Sequence, residues 1–156
     1  MKFDSFLKYA GGDGVILTAE CGEKWLFFDK IGMRIPEGKG VLGTVAKMPE
    51  YLEELIYDRE VVACELTQAY VPRCDSKPSE LKRVFTGAYG LRIDINNKAF
   101  GFIEKKDNTY VANVHMFDEH DNASKYVALL VTDDYGDIQD LEFKMIVIHK
   151  EEIENE

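Results

Sequence analysis

The stretch Leu91-Arg-Ile-Asp-Ile-Asn96 decides the fold class of this chain, because apolar and polar residues alternate along it. Successive side chains of a β-strand point to opposite faces of the sheet, so the three apolar residues share one face and the three polar residues share the other. The stretch is therefore predicted to form a half-buried strand.

Four further strands are predicted downstream, at Ala99 to Lys105, Thr109 to Phe117, Lys125 to Thr132 and Leu141 to His149. The segments between them are short or rich in turn-forming residues, and short connections join antiparallel neighbours. The C-terminal half is thus predicted to be a five-stranded antiparallel meander. Residues 151–156 are predicted to form a frayed acidic tail.

Two or three short helices are predicted in the N-terminal half. Apolar residues recur at helical spacing from Phe3 to Ala10, which predicts the first helix. Pro49 suits the first turn of a second helix, and acidic residues follow it at the positive end of the helix dipole. A third helix is predicted with Ser76 or Ser79 as its cap; Leu81, Val84 and Phe85 form its apolar face and Gly87 closes it.

The remaining N-terminal segments are predicted to be strands. Val15 to Glu20 and Trp25 to Asp29 form a hairpin, Gly32 to Pro36 adds a third strand, and Val61 to Val71 forms another. Neither a linker nor an internal repeat separates the two halves. Residues 1–150 are therefore predicted to form a single α+β domain.

The overall composition limits the classes of function. The chain has 156 residues, 46% of them hydrophobic, and a net charge of −10. Residues 1–88 carry 12 basic and 14 acidic residues, whereas residues 89–156 carry 7 and 15. Direct nucleic-acid binding is not expected, because it needs clustered Lys and Arg. A basic protein surface is the partner that this charge favours.

Cellular location is predicted from what the sequence lacks. Met1 is not followed by a basic and then apolar leader, and no apolar run approaches the roughly 18 residues that span a bilayer. Cys21, Cys64 and Cys74 are far apart and an odd number, as expected of reduced thiols. We therefore expect a cytoplasmic protein that does not bind membranes, and its composition is compatible with a homo-oligomer.

Two acidic loops are the candidate partner-binding residues. The first holds Asp118, Glu119 and Asp121, and the second holds Asp133, Asp134 and Asp137. In a meander, successive loops lie at alternating ends of the sheet, so residues 96–98 and 118–124 share one end and residues 106–108 and 133–140 share the other. The two acidic clusters should lie about 20–25 Å apart, which argues against one shared active site.

An alternative function is a small metal-dependent enzyme or a ligand-binding domain. His115 and His120 flank carboxylates in His115-Met-Phe-Asp-Glu-His-Asp121, and imidazole with carboxylate suits borderline metal ions. Gly38-Lys-Gly-Val-Leu-Gly43 matches G-x-G-x-x-G but is predicted to be a loop, because Pro49 leaves too little chain for the helix that would bind phosphate. No catalytic residue and no cofactor are predicted.

The opening Met1-Lys-Phe-Asp-Ser-Phe-Leu-Lys-Tyr9, followed by small strands and an acidic balance, resembles small proteins encoded by phages and prophages. The resemblance implies an accessory subunit of the phage particle or an anti-CRISPR-like inhibitor of host defence. Separately, Pro78 to Val84, the strand Leu91 to Ile95 and the turn Asn96-Asn97 are similar in order to a helix, strand and turn of one sliding-clamp domain. This second similarity implies only a fold.

The function expected from the sequence is therefore binding rather than catalysis. An acidic protein of this kind would bind a basic surface, for example the groove in which a host protein holds nucleic acid. The metal-dependent domain and the structural accessory subunit are the alternatives.

Overall fold

A computed structural model describes residues 1–57, 60–70, 82–87, 92–117, 119–121 and 123–154. Its helices are α1 (Phe3–Ala10), α2 (Glu50–Tyr57) and α3 (Asn97–Phe100), with a 3-10 turn at Ile138–Asp140. Its strands are β1 (Val15–Thr18), β2 (Lys24–Phe28), β3 (Ile31–Arg34), β4 (Thr44–Lys47), β5 (Glu60–Tyr70), β6 (Lys82–Gly87), β7 (Arg92–Asn96), β8 (Asn108–Phe117), β9 (Ala123–Thr132) and β10 (Met145–Glu154). The predicted α+β class with a mostly antiparallel sheet is confirmed.

The strands form one sheet in the order β4-β1-β2-β3-β10-β9-β8-β5-β6-β7. The pair β1 and β4 is parallel, and the other neighbouring pairs are antiparallel. Strand β10 from the end of the chain lies between β3 and β9, so it joins the N-terminal strands to the C-terminal ones. The two halves of the sequence therefore share one sheet.

Both faces of the sheet are covered. One hydrophobic cluster holds α1 together with Leu129 of β9 and Val147 of β10, and the other holds α2 together with Leu130 and Ile146. Neighbouring residues of one strand enter different clusters because side chains alternate between the faces. The central strands are thus apolar on both sides.

The β6–β7 hairpin folds back over the face that carries α1. Phe85 of β6 and Ile93 of β7 belong to the same buried cluster as Leu129. The ring Nδ1 of His149 on β10 lies 2.9 Å from the backbone oxygen of Asp94 on β7, and this contact holds the hairpin against β10. Strand β5 allows the hairpin to fold back because the register of β5 against β6 shifts between residues 66 and 68, and a β-bulge of this kind bends a strand.

Several predicted elements are confirmed. Helix α1 has the expected bounds, and Gly11, at φ 57°, donates its N–H to the Leu7 carbonyl and ends it. The β1–β2 hairpin, β3, α2, β5, β7, β8 and β9 also form close to their predicted positions. Residues 36–43 are a loop as expected, and β4, which was not predicted, follows it.

The predicted third helix is wrong for residues 82–87, which form strand β6. Val84 and Phe85 are buried there, and the strand is paired with β5 on one side and β7 on the other. The proposed caps Ser76 and Ser79, and also Leu81, lie outside the described residues. Because residues 82–84 are extended, the helix on which the sliding-clamp similarity rested is not supported.

The predicted strand Ala99 to Lys105 is also wrong. The Asn96 side chain accepts a 2.9 Å hydrogen bond from the Ala99 N–H, and this cap starts the short helix α3. Residues 101–107 then form turns, so β7 and β8 are not adjacent strands. The five-stranded meander is therefore reduced to β8, β9 and β10.

The last strand is shifted relative to its prediction. It begins at Met145 instead of Leu141 and continues to Glu154, so residues 151–154, which were expected to fray, pair with residues 123–126 of β9. Within the described part of the chain, no helix is both long and apolar enough to cross a membrane.

Candidate functional site

Turns that are distant in sequence meet at one end of the sheet. The register pairs Thr18 with both Lys24 and Lys47, and Met145 with both Met33 and Val131. Residues 19–24, 47–54 and 133–144 therefore lie at the same end, which we call the acidic end. These three segments hold ten acidic and three basic residues. The loop at 119–121 lies at the other end, the far end.

The acidic end contains a groove of about 490 Å³ between the β1–β2 turn and α2. Its walls carry four carboxylates and one amine, from Glu20, Glu50, Glu53, Glu54 and Lys47. The Glu53 carboxylate accepts a 2.7 Å hydrogen bond from the backbone N–H of Glu20, so helix and turn are held together. We call this cavity the glutamate groove; its formal charge favours a cationic ligand.

Tyr57 also lines the glutamate groove. Its hydroxyl accepts a 2.9 Å hydrogen bond from the indole N–H of the fully buried Trp25. Burial raises the pKa of the Tyr57 hydroxyl above its ordinary value of 10, so the group is neutral at physiological pH. The lining of the groove thus combines a neutral, hydrogen-bonded hydroxyl with four carboxylates and one amine.

A second cavity of about 580 Å³ lies on the other side of the β1–β2 turn. Arg34 crosses it and pairs with Glu23 at 3.2 Å and with Glu142 at 3.3 Å. The remaining charged residues lining it are Lys24, Glu37 and Lys39, so acids and bases are equal in number. This balance gives the second cavity no preference for a charged ligand.

The predicted site residues of the 133–140 loop lie at the acidic end, but two of them are already paired. The Lys144 amine lies 2.5 Å from an Asp133 carboxylate oxygen and 3.5 Å from one of Asp134. The hydrogen bond from Lys144 lowers the pKa of Asp133. Asp137 and Asp140 are exposed and extend the negative surface beyond this pair.

The other predicted site residues lie at the far end. Glu119 and His120 are 88% and 77% exposed, and Asp121 is exposed in the turn at φ 62°. Asp118 lies outside the described residues. The two acidic loops thus lie at opposite ends of β9, as predicted. The Tyr135 hydroxyl donates to the Lys106 carbonyl at 2.9 Å, which confirms that residues 106–108 and 133–140 share an end.

The metal-dependent alternative gains no support from the described residues. His115 is exposed on β8 and His120 on the following turn, where a His120 ring nitrogen lies 3.8 Å from a Glu119 carboxylate oxygen. Within the described ranges, no group of three or more His, Cys, Asp or Glu side chains is placed to hold a metal ion. The chemistry of this segment is that of an exposed hairpin turn.

The glycine-rich loop at residues 38–43 leads into strand β4 rather than into a helix. Its Lys39 amine pairs with Asp4 of α1 and lies 5.9 Å from the centre of the Phe3 ring. A dinucleotide site needs a helix N-terminus directly after such a loop. The G-x-G-x-x-G match therefore serves as a connection that packs on α1.

No family model, no curated protein and no solved structure matches this chain.

Sequence reasoning did not identify the glutamate groove. Glu50, Glu53 and Glu54 stood out only as acidic residues at the start of a helix, where they interact favourably with the helix dipole. Glu20 lies 30 residues earlier, at the end of the segment predicted as the first strand. The excess of glutamate over lysine in residues 47–54 was a signal for one side of the groove. The opposite side, which carries Glu20, depends on strand pairing and gives no such signal in the sequence.

Proposed function

We propose that this protein is a non-enzymatic binding protein that captures a basic partner protein at its acidic end. The observation that carries the proposal is the glutamate groove, a concave site with four carboxylates against one lysine. Lys and Arg side chains of a partner are long enough to enter such a groove while their stems contact Met48 and Tyr57 in its lining. The exposed Asp137 and Asp140 add a negative field around it.

The partner class that fits is a protein with a basic, nucleic-acid-binding surface. Such surfaces present clustered Lys and Arg, and an acidic protein competes with phosphate for them. Inhibition of that partner follows if its nucleic-acid site is covered. The resemblance to phage-encoded inhibitors agrees with this form of the function.

The test uses three double variants with the same net charge. Glu20→Lys with Glu50→Lys alters the groove, Asp137→Lys with Asp140→Lys alters the neighbouring loop, and Asp13→Lys with Glu119→Lys alters the far end. All six residues are exposed. Two reversals of +2 each change the net charge from −10 to −6 in every variant. Differences between the variants then report position rather than total charge.

Candidate partners are selected from a lysate by their retention on the wild-type protein alone, and are then purified. We expect association with the purified partner to slow by about tenfold for the groove variant, and less for the loop variant. The far-end variant should associate at the wild-type rate, and added salt should reduce the difference. Equal losses for groove and far-end variants would show that no particular site is used.

A further inference from the structure

Strand β4 leaves one edge of the sheet open. It is the terminal strand of the sheet, and its outer side faces no other strand among the residues that the structure describes. All four of its residues are exposed, with Val45 at 60%, and Leu42 just before it is 97% exposed. An open edge with exposed apolar residues is a template for pairing with another extended chain.

The backbone groups that face outward from β4 follow from one hydrogen bond. The N–H of Met48 donates to the Thr18 carbonyl of β1 at 2.9 Å, so residue 48 points its backbone groups toward β1. Backbone groups alternate sides along a strand, and in a parallel pair each residue directs its N–H and C=O to the same side. Val45 and Lys47 therefore present their N–H and C=O groups away from the sheet.

The open edge is continuous with the glutamate groove. A depression of about 440 Å³ beside β4 is lined by Thr18, Val45 and Ala46 together with Glu20 and Lys47. Glu20 and Lys47 also line the glutamate groove. A chain that runs along β4 thus passes from an apolar surface directly to four carboxylates.

We propose that the occupant of this edge is an extended, basic segment of the partner protein, which adds to β4 as a further strand. Its backbone hydrogen-bonds with Val45 and Lys47, an apolar side chain covers Val45, and a Lys or Arg beyond the strand enters the glutamate groove. This inference rests on the proposed function and deepens it by naming the conformation of the bound segment.

Charge decides between this occupant and a second copy of the chain. Two copies paired through β4 would bring two glutamate grooves next to the same interface, and both copies carry a net charge of −10. Like charges across an interface oppose association, whereas a basic segment is attracted. The same electrostatics that favour a cationic ligand in the groove therefore select the chain that pairs with the edge.

The test uses a fluorescent peptide of alternating Val and Arg as the probe and a pair of variants at one position. Val45→Pro removes the outward N–H without removing a hydrogen bond to β1, and Val45→Thr keeps that N–H and the branched shape. We expect Val45→Pro to weaken peptide binding by about tenfold, as the loss of one of a few hydrogen bonds implies. Val45→Thr should bind within about threefold of wild type.

A second measurement covers the case in which Val45→Pro does not fold. Wild-type protein is titrated with the same peptide carrying N-methyl groups on alternate residues, which cannot donate along one edge but keep every charge. A second peptide carries the N-methyl groups on the other set of alternate residues, so that each edge is blocked in one of the two peptides. Strong binding of both methylated peptides to wild-type protein would overturn strand addition. The same conclusion follows if folded Val45→Pro binds the unmethylated peptide as wild type does.

The groove variant Glu20→Lys with Glu50→Lys separates this inference from the proposed function. If that variant loses peptide binding while Val45→Pro does not, the groove holds the partner without strand addition, and only the inference fails. If neither change affects binding, both proposals fail. Sedimentation showing a wild-type dimer that Val45→Pro dissociates would identify a second copy as the occupant and overturn the inference.

Discussion

Tyr9 shows how one polar contact fastens α1 to the sheet. Its hydroxyl donates a 2.5 Å hydrogen bond to the Asp29 carboxylate in the β2–β3 turn, and its ring meets the Phe28 ring edge-on at 5.1 Å. The hydrogen bond to Asp29, followed by burial, raises the pKa of Tyr9 to about 12. Both causes favour the neutral hydroxyl, because a tyrosinate here would face a carboxylate.

This contact predicts how stability responds to alkaline pH. The raised pKa means that the folded state keeps a proton that the unfolded chain loses, so the contribution is complete below about pH 10 and is lost between pH 10 and 12. Tyr9→Phe should lower the free energy of unfolding by about 1 kcal/mol at neutral pH and flatten its decline over that range. Urea titrations at several pH values measure both effects.

Tyr135→Phe is the control for this measurement, since it deletes a hydroxyl that bonds to a neutral carbonyl. The free energy of unfolding of Tyr135→Phe should decline with pH as that of the wild type does. A Tyr9→Phe protein whose unfolding free energy falls as steeply as that of wild type between pH 10 and 12 would show that Asp29 does not hold this proton.

The two residues of the β2–β3 turn adopt a backbone conformation that their residue types disfavour. Asp29 and Lys30 have φ values of 52° and 63°, as in the two-residue turn whose twist suits antiparallel strands. Glycine and asparagine adopt this conformation most readily, and lysine does so at a cost. The turn persists because both flanking strands are held elsewhere; the Lys30 carbonyl, for example, accepts the Ile148 N–H at 2.8 Å.

Lys30→Gly should therefore stabilise the protein. Glycine relieves the positive-φ conformation of this residue, and we expect a gain of about 0.5–1 kcal/mol in the free energy of unfolding. Lys30→Ala keeps the Cβ atom while removing the charge, so it should give little or no gain. Thermal and urea unfolding compare the three proteins, and equal stability of the glycine and alanine variants would contradict this explanation.

At the scale of the whole molecule, the central strand β9 separates two hydrophobic cores. Leu129 contributes to the core under α1, and Leu130 contributes to the core under α2, and both are 0% exposed. A meander with one solvated face would bury only one residue of such a pair. Burial of both residues is a consequence of the layers that the N-terminal half places on each face.

Leu129→Ala and Leu130→Ala should each cost about 2–5 kcal/mol of unfolding free energy, because each leaves a cavity in a packed core. Leu42→Ala, at a side chain 97% exposed, should change it by no more than about 0.5 kcal/mol. Urea unfolding measures the three differences. If one of the two β9 variants were as mild as Leu42→Ala, one face of the sheet would not be a core.

Local patterns in the sequence determined most elements. The apolar stripe of α1, the alternation in β7 and the long apolar runs of β8 and β9 each act within about ten residues, and each predicted the element that forms. The position of the two acidic loops at opposite ends of β9 also followed, because β8, β9 and β10 are successive strands that pair antiparallel with one another. These features depend on side chains that are near in sequence.

Strand β6 and the second neighbour of β10 depend on contacts that are distant in sequence, whereas α3 in place of a predicted strand follows from the local cap at Asn96. Residues 82–87 carry a pattern compatible with either a helix or a strand, and pairing with β5 and β7 makes them a strand. Strand β10 lies beside β9 as expected, and its pairing with β3 on the other side, which was not predicted, joins the halves of the chain. Pairing partners of this kind cannot be read from periodicity, because periodicity predicts which face of the sheet a side chain occupies but not which strand lies next to it.

The acidity of the chain shows the same division. The sequence by itself determined the α+β class and the net charge. The position of the glutamate groove was decided by the tertiary structure alone. Pairing of β4 with β1 brings the β1–β2 turn next to α2, where the Glu20 N–H donates to the Glu53 carboxylate. Charge is a sum over residues, whereas a groove exists only when separate backbone segments form its opposite walls.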